Sequence, residues 1–183
     1  QVFEVMLKYK EYIQGKRALV IGSETPWVEG GFLLYGAEKV TTLEFGSINS
    51  GHPKIETVLP SIFTEQFLNG KYDELFDVAC SYSSLEHDGL GRYGDILNPI
   101  GDLQSMAKML SIIKPGGLFF IGFPMGLDGL RFNLHRYYGV LRLPYLLAGW
   151  KLIEIFYVNL PQKMEHNQPV LVLQNMNGCS NNE

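Results

Sequence analysis

RALVIGSETPWVEGGFLLYGA, residues 17–37, runs from an apolar tetrad into a glycine and then into helical spacing. Ala18-Leu19-Val20-Ile21 reads as a short strand buried on both faces, because the run is continuous rather than alternating. Gly22 allows a turn through positive φ. Thr25 is a good N-cap and Pro26 a good first helical residue, and Gly36 closes the helix over 26–37. A strand, a glycine turn and a helix in that order make the first unit of a parallel α/β sheet.

The same alternation continues along the chain. A helix over 2–13 precedes the first unit. Strands are expected at 40–46, 55–60, 76–87 (running into a polar loop) and 118–124, with helices at 61–70 and 100–117 between them, the last closed by Pro115-Gly116-Gly117. LRLPYLLAGW (141–150) contains a short helix. KLIEIFYVNL (151–160) and PVLVLQNM (169–176) are two more strands, joined by a polar connector with Pro161 and Asn167-Gln168-Pro169. The expected fold is α/β: a doubly wound, mostly parallel seven-stranded sheet with a C-terminal antiparallel hairpin. Residues 1–176 are expected to form one domain and 177–183 a disordered tail. Ligands of such sheets sit beyond the carboxyl ends of the strands, where strand order reverses.

Composition narrows the function classes. The chain has 183 residues, 46% apolar and 19% charged, with a net charge of −4. That is a globular balance with no basic stripe for nucleic acid. No apolar run approaches a membrane span. The two cysteines, Cys80 and Cys179, form no disulfide framework, which fits a reducing, intracellular and cytoplasmic setting. A small-molecule substrate is the expected partner; the sequence does not speak to oligomeric state.

Local motifs sharpen the fold. TTLEF (41–45), FDVACSYSSLEH (76–87) and MLSIIKPGGLFFIGFP (109–124) stand in this order after the first unit. Together with five α/β units and a terminal hairpin, they resemble the class I S-adenosylmethionine-dependent methyltransferases over roughly residues 17–175. The GSETPWVE loop, the SLEHDGLGRYGD loop and the NLHRYYG segment resemble more closely a little-characterised group of methyltransferase-like domains of nematodes and bacteria, a likeness that implies no particular reaction.

The class I resemblance implies S-adenosylmethionine as cofactor. It places cofactor contacts at Gly22, Ser23 and Glu24 after strand one, at Glu44 after strand two and at Ser83 and Ser84 after strand four. The chain departs from the pattern. Strand one lacks the usual acid, and Glu24 and Pro26 stand where the second and third glycines of G-x-G-x-G belong. The adenine-binding acid after strand three has no clear counterpart. The helix N-terminus behind the loop is expected to offer N–H groups to a carboxylate. Glu24 and Glu29 lie close enough to meet the cofactor's ammonium or to repel its carboxylate, and Trp27 to stack on a ligand or pack against strand four. Glu44 suits a two-point grip on a ribose diol.

The two polar loops carry the remaining candidates. In SSLEHDGLGRYGDILNPIGD (83–102), His87 follows strand four and titrates near neutrality, so it suits a general base for a hydroxyl acceptor, with Asp88 and Arg92 beside it. Tyr93 and Asp95 are candidate substrate contacts, although Arg92 pairing with Asp95 would equally brace the loop. His87, Asp88 and Asp95 lack a recognised ligand spacing, so no metal is expected. GLDGLRFNLHRYYG (126–139) offers Asn133, His135 and Arg136 as substrate contacts on a candidate lid. Two readings of different class follow: methyl transfer to a small polar acceptor such as a saccharide or metabolite, or a non-catalytic binding or scaffold domain that has lost its cofactor. A nicotinamide or nucleotide-sugar enzyme fits less well, since G-x-G-x-x-G is absent and the hairpin is present.

Overall fold

The computed structural model describes residues 1–46, 48, 50–72, 75–157 and 168–177. Nine strands and five α-helices are assigned among them: α1 (Val2–Lys8), β1 (Arg17–Ile21), α2 (Trp27–Leu34), β2 (Lys39–Leu43), β3 (Ile55–Val58), α3 (Pro60–Leu68), β4 (Phe76–Tyr82), α4 (Gly101–Ile112), β5 (Ile113–Gly122), β6 (Gly129–Arg131), β7 (His135–Tyr137), α5 (Leu143–Leu146), β8 (Trp150–Phe156) and β9 (Val170–Asn175). Seven strands form one sheet in the order β3-β2-β1-β4-β5-β9-β8. The first five run parallel, and β9 lies antiparallel to both β5 and β8. The expected mixed, doubly wound sheet is therefore present. The connector residues 158–167 and the tail residues 178–183 lie outside the described residues.

Side chains of successive strand residues point to opposite faces, so each central strand feeds two cores. Leu19, Ala79, Phe119 and Ile121 pack with Phe63, Met106, Met109 and Leu146 from α3, α4 and α5. Ala18, Val20, Cys80 and Phe120 pack on the other face with Val5, Met6, Val28 and Phe32 from α1 and α2.

Three expectations are corrected. The N-terminal helix is shorter, ending at Lys8 and followed by a 3-10 turn at Lys10–Tyr12. The helix expected over 100–117 ends at Ile112, and Ile113 already pairs with Phe76. Val78 then pairs with Leu118, so Lys114-Pro115-Gly116-Gly117 bulges from β5 opposite the single residue Asp77. A Cβ on Gly117 would meet the Asp77 carbonyl at 2.7 Å, and only glycine fits there. Lys114 Nζ donates to Asp77 Oδ1 at 2.8 Å and fastens the bulge. Finally, the segment after β5 is not a loop throughout: β6 and β7 form a small separate hairpin.

Candidate functional site

Beyond the carboxyl ends of β1, β2 and β4 lie two adjoining cavities, of about 810 and 530 Å³, which share Gly22, Phe45, Ser84 and Asp88. Gly22, Ser23, Glu24, Glu44, Ser83, Ser84, His87, Asp88, Arg92, Tyr93 and His135 all line the larger one. Asp95 lines the smaller. Asn133 and Arg136 line neither.

The first loop keeps the shape of a glycine-rich turn although two glycines are missing. Gly22 has φ +63°, and a Cβ there would collide with the Ser84 side chain at 2.1 Å. Glu24, where a glycine was expected, has φ +52°. A non-glycine residue in this region costs about 1–2 kcal/mol. Ser83 across the cleft has φ +57°, so backbone strain of this kind concentrates at the cleft.

Glu44 explains what holds the loop. Its Oε2 accepts from the backbone N–H of Ser23 at 3.0 Å and of Glu24 at 3.2 Å. Its Oε1 accepts from Phe45 N–H at 2.8 Å and Gly46 N–H at 3.3 Å. One carboxylate thus ties the loop after β1 to the loop after β2, and its acceptor sites are filled. A ribose diol at Glu44 has to displace or share these amides. The N–H of Thr25 is taken by the Ser23 carbonyl, and that of Trp27 by the Thr25 carbonyl at 2.8 Å. Pro26 has none. Over residues 23–27 every backbone donor thus has an acceptor, so any amide offered to a carboxylate lies further along, in the first turn of α2.

Behind the loop sits Glu29, fully buried. Its Oε1 accepts from Ser23 Oγ and Thr42 Oγ1, both at 2.7 Å, while its Oε2 has no hydrogen-bond partner among the described residues. Burial, with Glu29 nearby, pushes the Cys80 thiol far up, so Cys80 is an inert core residue. Trp27 packs against β4, meeting Tyr82 edge-on at 5.8 Å, and also lines the cleft.

The loop after β4 carries the titrating groups. The Nδ1–H of His87 donates to the Leu134 carbonyl. A carbonyl only accepts, so Nε2 is the basic nitrogen of the neutral ring. Burial holds His87 below its ordinary value. Glu86 is 1% exposed; Ser83 Oγ donates to its Oε1 at 3.1 Å, and burial, together with Asp88, raises its carboxyl to about 7. His87 Nε2 lies 3.8 Å from Glu86 Oε1. Near pH 7 the histidine is neutral, so this contact is not an ion pair. Asp88 is raised to about 6 by burial and accepts from Ser105 Oγ at 2.5 Å.

Asp95 turns inward to its own loop. It accepts from the N–H groups of Gly89 at 2.7 Å, Gly91 at 3.2 Å and Tyr93 at 3.2 Å. Burial opposes its charge, but these donors outweigh it and hold the carboxyl below the usual range. The ion pair with Arg92 is absent from this network: Arg92 Nε donates to Tyr93 Oη at 3.2 Å, and its guanidinium lies over the Tyr93 ring at 5.5 Å.

Arg136 occupies a place different from the expected substrate contact. It is 1% exposed and donates to the carbonyls of Glu86, Asp88, Asn98 and Pro99 at 2.6–3.4 Å. Its Nε lies 3.6 Å from Asp102 Oδ1, and Asp102 also takes Arg142 and the Tyr138 hydroxyl. Asn133 sits at the exposed turn of the β6–β7 hairpin with φ +57°. Asp128 accepts from the N–H groups of Gly139, Leu141 and Arg142 at the hairpin's base, each at 2.9 Å. The hairpin is thus a braced wall of the cleft rather than a free lid. The sequence does not single out Glu86 and Leu134 as site residues, because the burial of Glu86 and the bond from His87 to the Leu134 carbonyl arise only in the fold. Among the described residues no group of three His, Cys, Asp or Glu is placed to hold a metal ion, and no helix is long and apolar enough to cross a membrane.

The geometry agrees with what the chain is similar to. A family model described as "Caenorhabditis protein of unknown function, DUF268" matches residues 15–182. No curated protein matches. Among solved structures, a Burkholderia thailandensis 1,6-didemethyltoxoflavin-N1-methyltransferase with bound 1,6-didemethyltoxoflavin and S-adenosylhomocysteine aligns with TM-score 0.69 at 17% identity, over 95% of this chain and 76% of that one. A putative methyltransferase from Streptococcus mutans aligns with TM-score 0.62 at 10% identity, over 93% of this chain and 48% of that one. The [4+2]-cyclase SpnF aligns with TM-score 0.66 at 11% identity, over 95% and 79%. The sheet is therefore a Rossmann-like methyltransferase fold, and identities this low speak to the fold alone.

Proposed function

The chain belongs to the DUF268 family of Caenorhabditis proteins of unknown function, and we propose that it is an S-adenosylmethionine-dependent methyltransferase acting on a small polar acceptor. The observation that carries this reading is the cleft itself. It opens where strand order reverses, with Gly22 at positive φ where a Cβ would strike Ser84, and the Glu44 carboxylate at the end of β2. Its two joined cavities suit an elongated ligand lying across β1, β2 and β4.

S-adenosylmethionine supplies a sulfonium-bound methyl group that an acceptor lone pair attacks. Gly22, Ser23, Glu24 and Ser84 would hold its amino-acid end, and Glu44 its ribose, by exchanging an amide hydrogen bond for a hydroxyl. His87 is neutral at pH 7 and offers a basic nitrogen, so it is the candidate to take the proton of a hydroxyl acceptor. Asp88, Arg92, Tyr93 and His135 complete the same cleft and would orient a polar acceptor; Asp95 shapes the loop that carries them. The free, buried Cys80 thiol fits an intracellular setting.

A second reading, a binding domain without catalysis, rests on the filled acceptor sites of Glu44. A likeness to a [4+2]-cyclase is a reminder that the fold alone does not fix the reaction. Calorimetric titration with S-adenosylmethionine and S-adenosylhomocysteine, with NAD as control, separates the readings. Micromolar binding of the first two and none of NAD is expected, and Glu44→Ala should weaken it. No binding at millimolar ligand by the folded chain would leave the non-catalytic reading.

A further inference from the structure

The loop after β1 is short of donors and rich in acceptors. The N–H groups of Ser23 and Glu24 are held by Glu44, and those of Thr25 and Trp27 by loop carbonyls. The Ser23 hydroxyl proton points at Glu29 Oε1, 2.7 Å away. Thr42 brings a second hydroxyl proton to that same oxygen at 2.7 Å, which marks it as an acceptor. Ser23, which lines the larger cavity, therefore has only oxygen lone pairs left for a ligand. Glu29 stands in the first turn of α2, where the helix N-terminus favours negative charge. It is fully buried, and its Oε2 has no hydrogen-bond partner among the described residues. Water screens such a group little, so its field reaches the cleft through Ser23. Glu24, also lining the cavity, adds a second acidic side chain.

We propose that Ser23, polarised by the buried carboxylate of Glu29, is the acceptor for the α-ammonium group of the amino-acid end of the cofactor, with Glu29 as its positioning residue. The assignment rests on the cofactor reading above. It gives this strand-one loop a preference for a cationic amine over an anion, the opposite of a loop with open amides. A ligand N–H donates to Ser23 Oγ, whose own proton stays on the serine and directed at Glu29 Oε1, and no proton changes owner.

The test uses S-adenosylhomocysteine and its des-amino analogue, which keeps the adenosine, the thioether and the carboxylate but lacks the ammonium. Wild-type protein should prefer the amine by about tenfold or more, as for a hydrogen bond to a charged group. Glu29→Gln and Ser23→Ala should each reduce that preference to less than about threefold, chiefly by weakening the amine. Ser23→Ala leaves the buried carboxylate in place and decides the matter should Glu29→Gln fail to fold. A preference that survives in a folded variant overturns the assignment, as does equal binding of the two ligands by wild-type protein. Binding of neither ligand by wild-type protein overturns the cofactor reading, and the assignment with it.

Discussion

Replacing Glu86 by Gln should make the protein less sensitive to rising pH. The Glu86 side chain is 1% exposed, its Oε2 has no hydrogen-bond partner among the described residues, and burial raises it from 4.5 to about 7. The folded chain therefore keeps a proton that the unfolded chain releases. Glu86 contributes its full share to stability below about pH 4.5, and that share is lost as pH rises through about 7. The displacement corresponds to about 3 kcal/mol between the two limits. Gln has nearly the same shape and does not titrate. The variant and the wild type should differ little at pH 5, and by pH 8.5 the variant should be more stable by up to about 3 kcal/mol. For a chain of this length that is on the order of 6–12 °C in melting temperature. Thermal unfolding of both proteins across pH 5–8.5 reads the difference, since the other groups titrate in both. A difference that stays flat over this range would refute the reasoning and mean that Glu86 is ionised throughout.

Further perturbations probe other parts of the site. Gly22→Ala places a Cβ against Ser84 at positive φ and should cost roughly 2–3 kcal/mol in denaturant unfolding; Ser84→Gly in the same chain should restore part of it. With the acceptor identified, wild-type turnover should fall only below pH 6.5, because burial lowers His87, and His87→Ala should reduce turnover about 100-fold or more and remove that acid limb. Arg136→Met leaves four carbonyls and Asp102 without their guanidinium. Chemical denaturation should show a loss of about 3 kcal/mol or more.

The fold was readable because its signals are local. A continuous apolar run, a glycine and a periodic stretch open the sheet at 17–37, apolar runs go on alternating with periodic stretches after it, and the polar connector before PVLVLQNM announces the antiparallel pair. The β6–β7 hairpin escaped notice because three-residue strands are too short to show alternation. Pro115 and the two glycines after it read as a helix stop and so extend α4 too far, whereas Gly117 is required by the Asp77 carbonyl across the sheet. The site was legible as a place. Strand ends pointed to Gly22, Glu44 and His87, and these line one cleft. Partnership was not legible. Nothing near Glu44 in the chain announces that Ser23 and Glu24 will fill its Oε2. Nothing near Arg136 announces the carbonyls some 40–50 residues upstream that bury it.

The bracing of the hairpin bears on how a molecule enters. Arg136 and the bond from His87 to Leu134 join the hairpin to the loop after β4, and Asp128 ties the hairpin's base to the turn that follows it. Moving one past the other would break these bonds together, so the wall behaves as a single rigid panel. The cleft is then a standing doorway beside the partly exposed rings of Trp27 and Tyr93. A visitor is sorted by girth at the threshold before any polar group reads it, and it departs through an opening whose width is set by the fold rather than by a hinge.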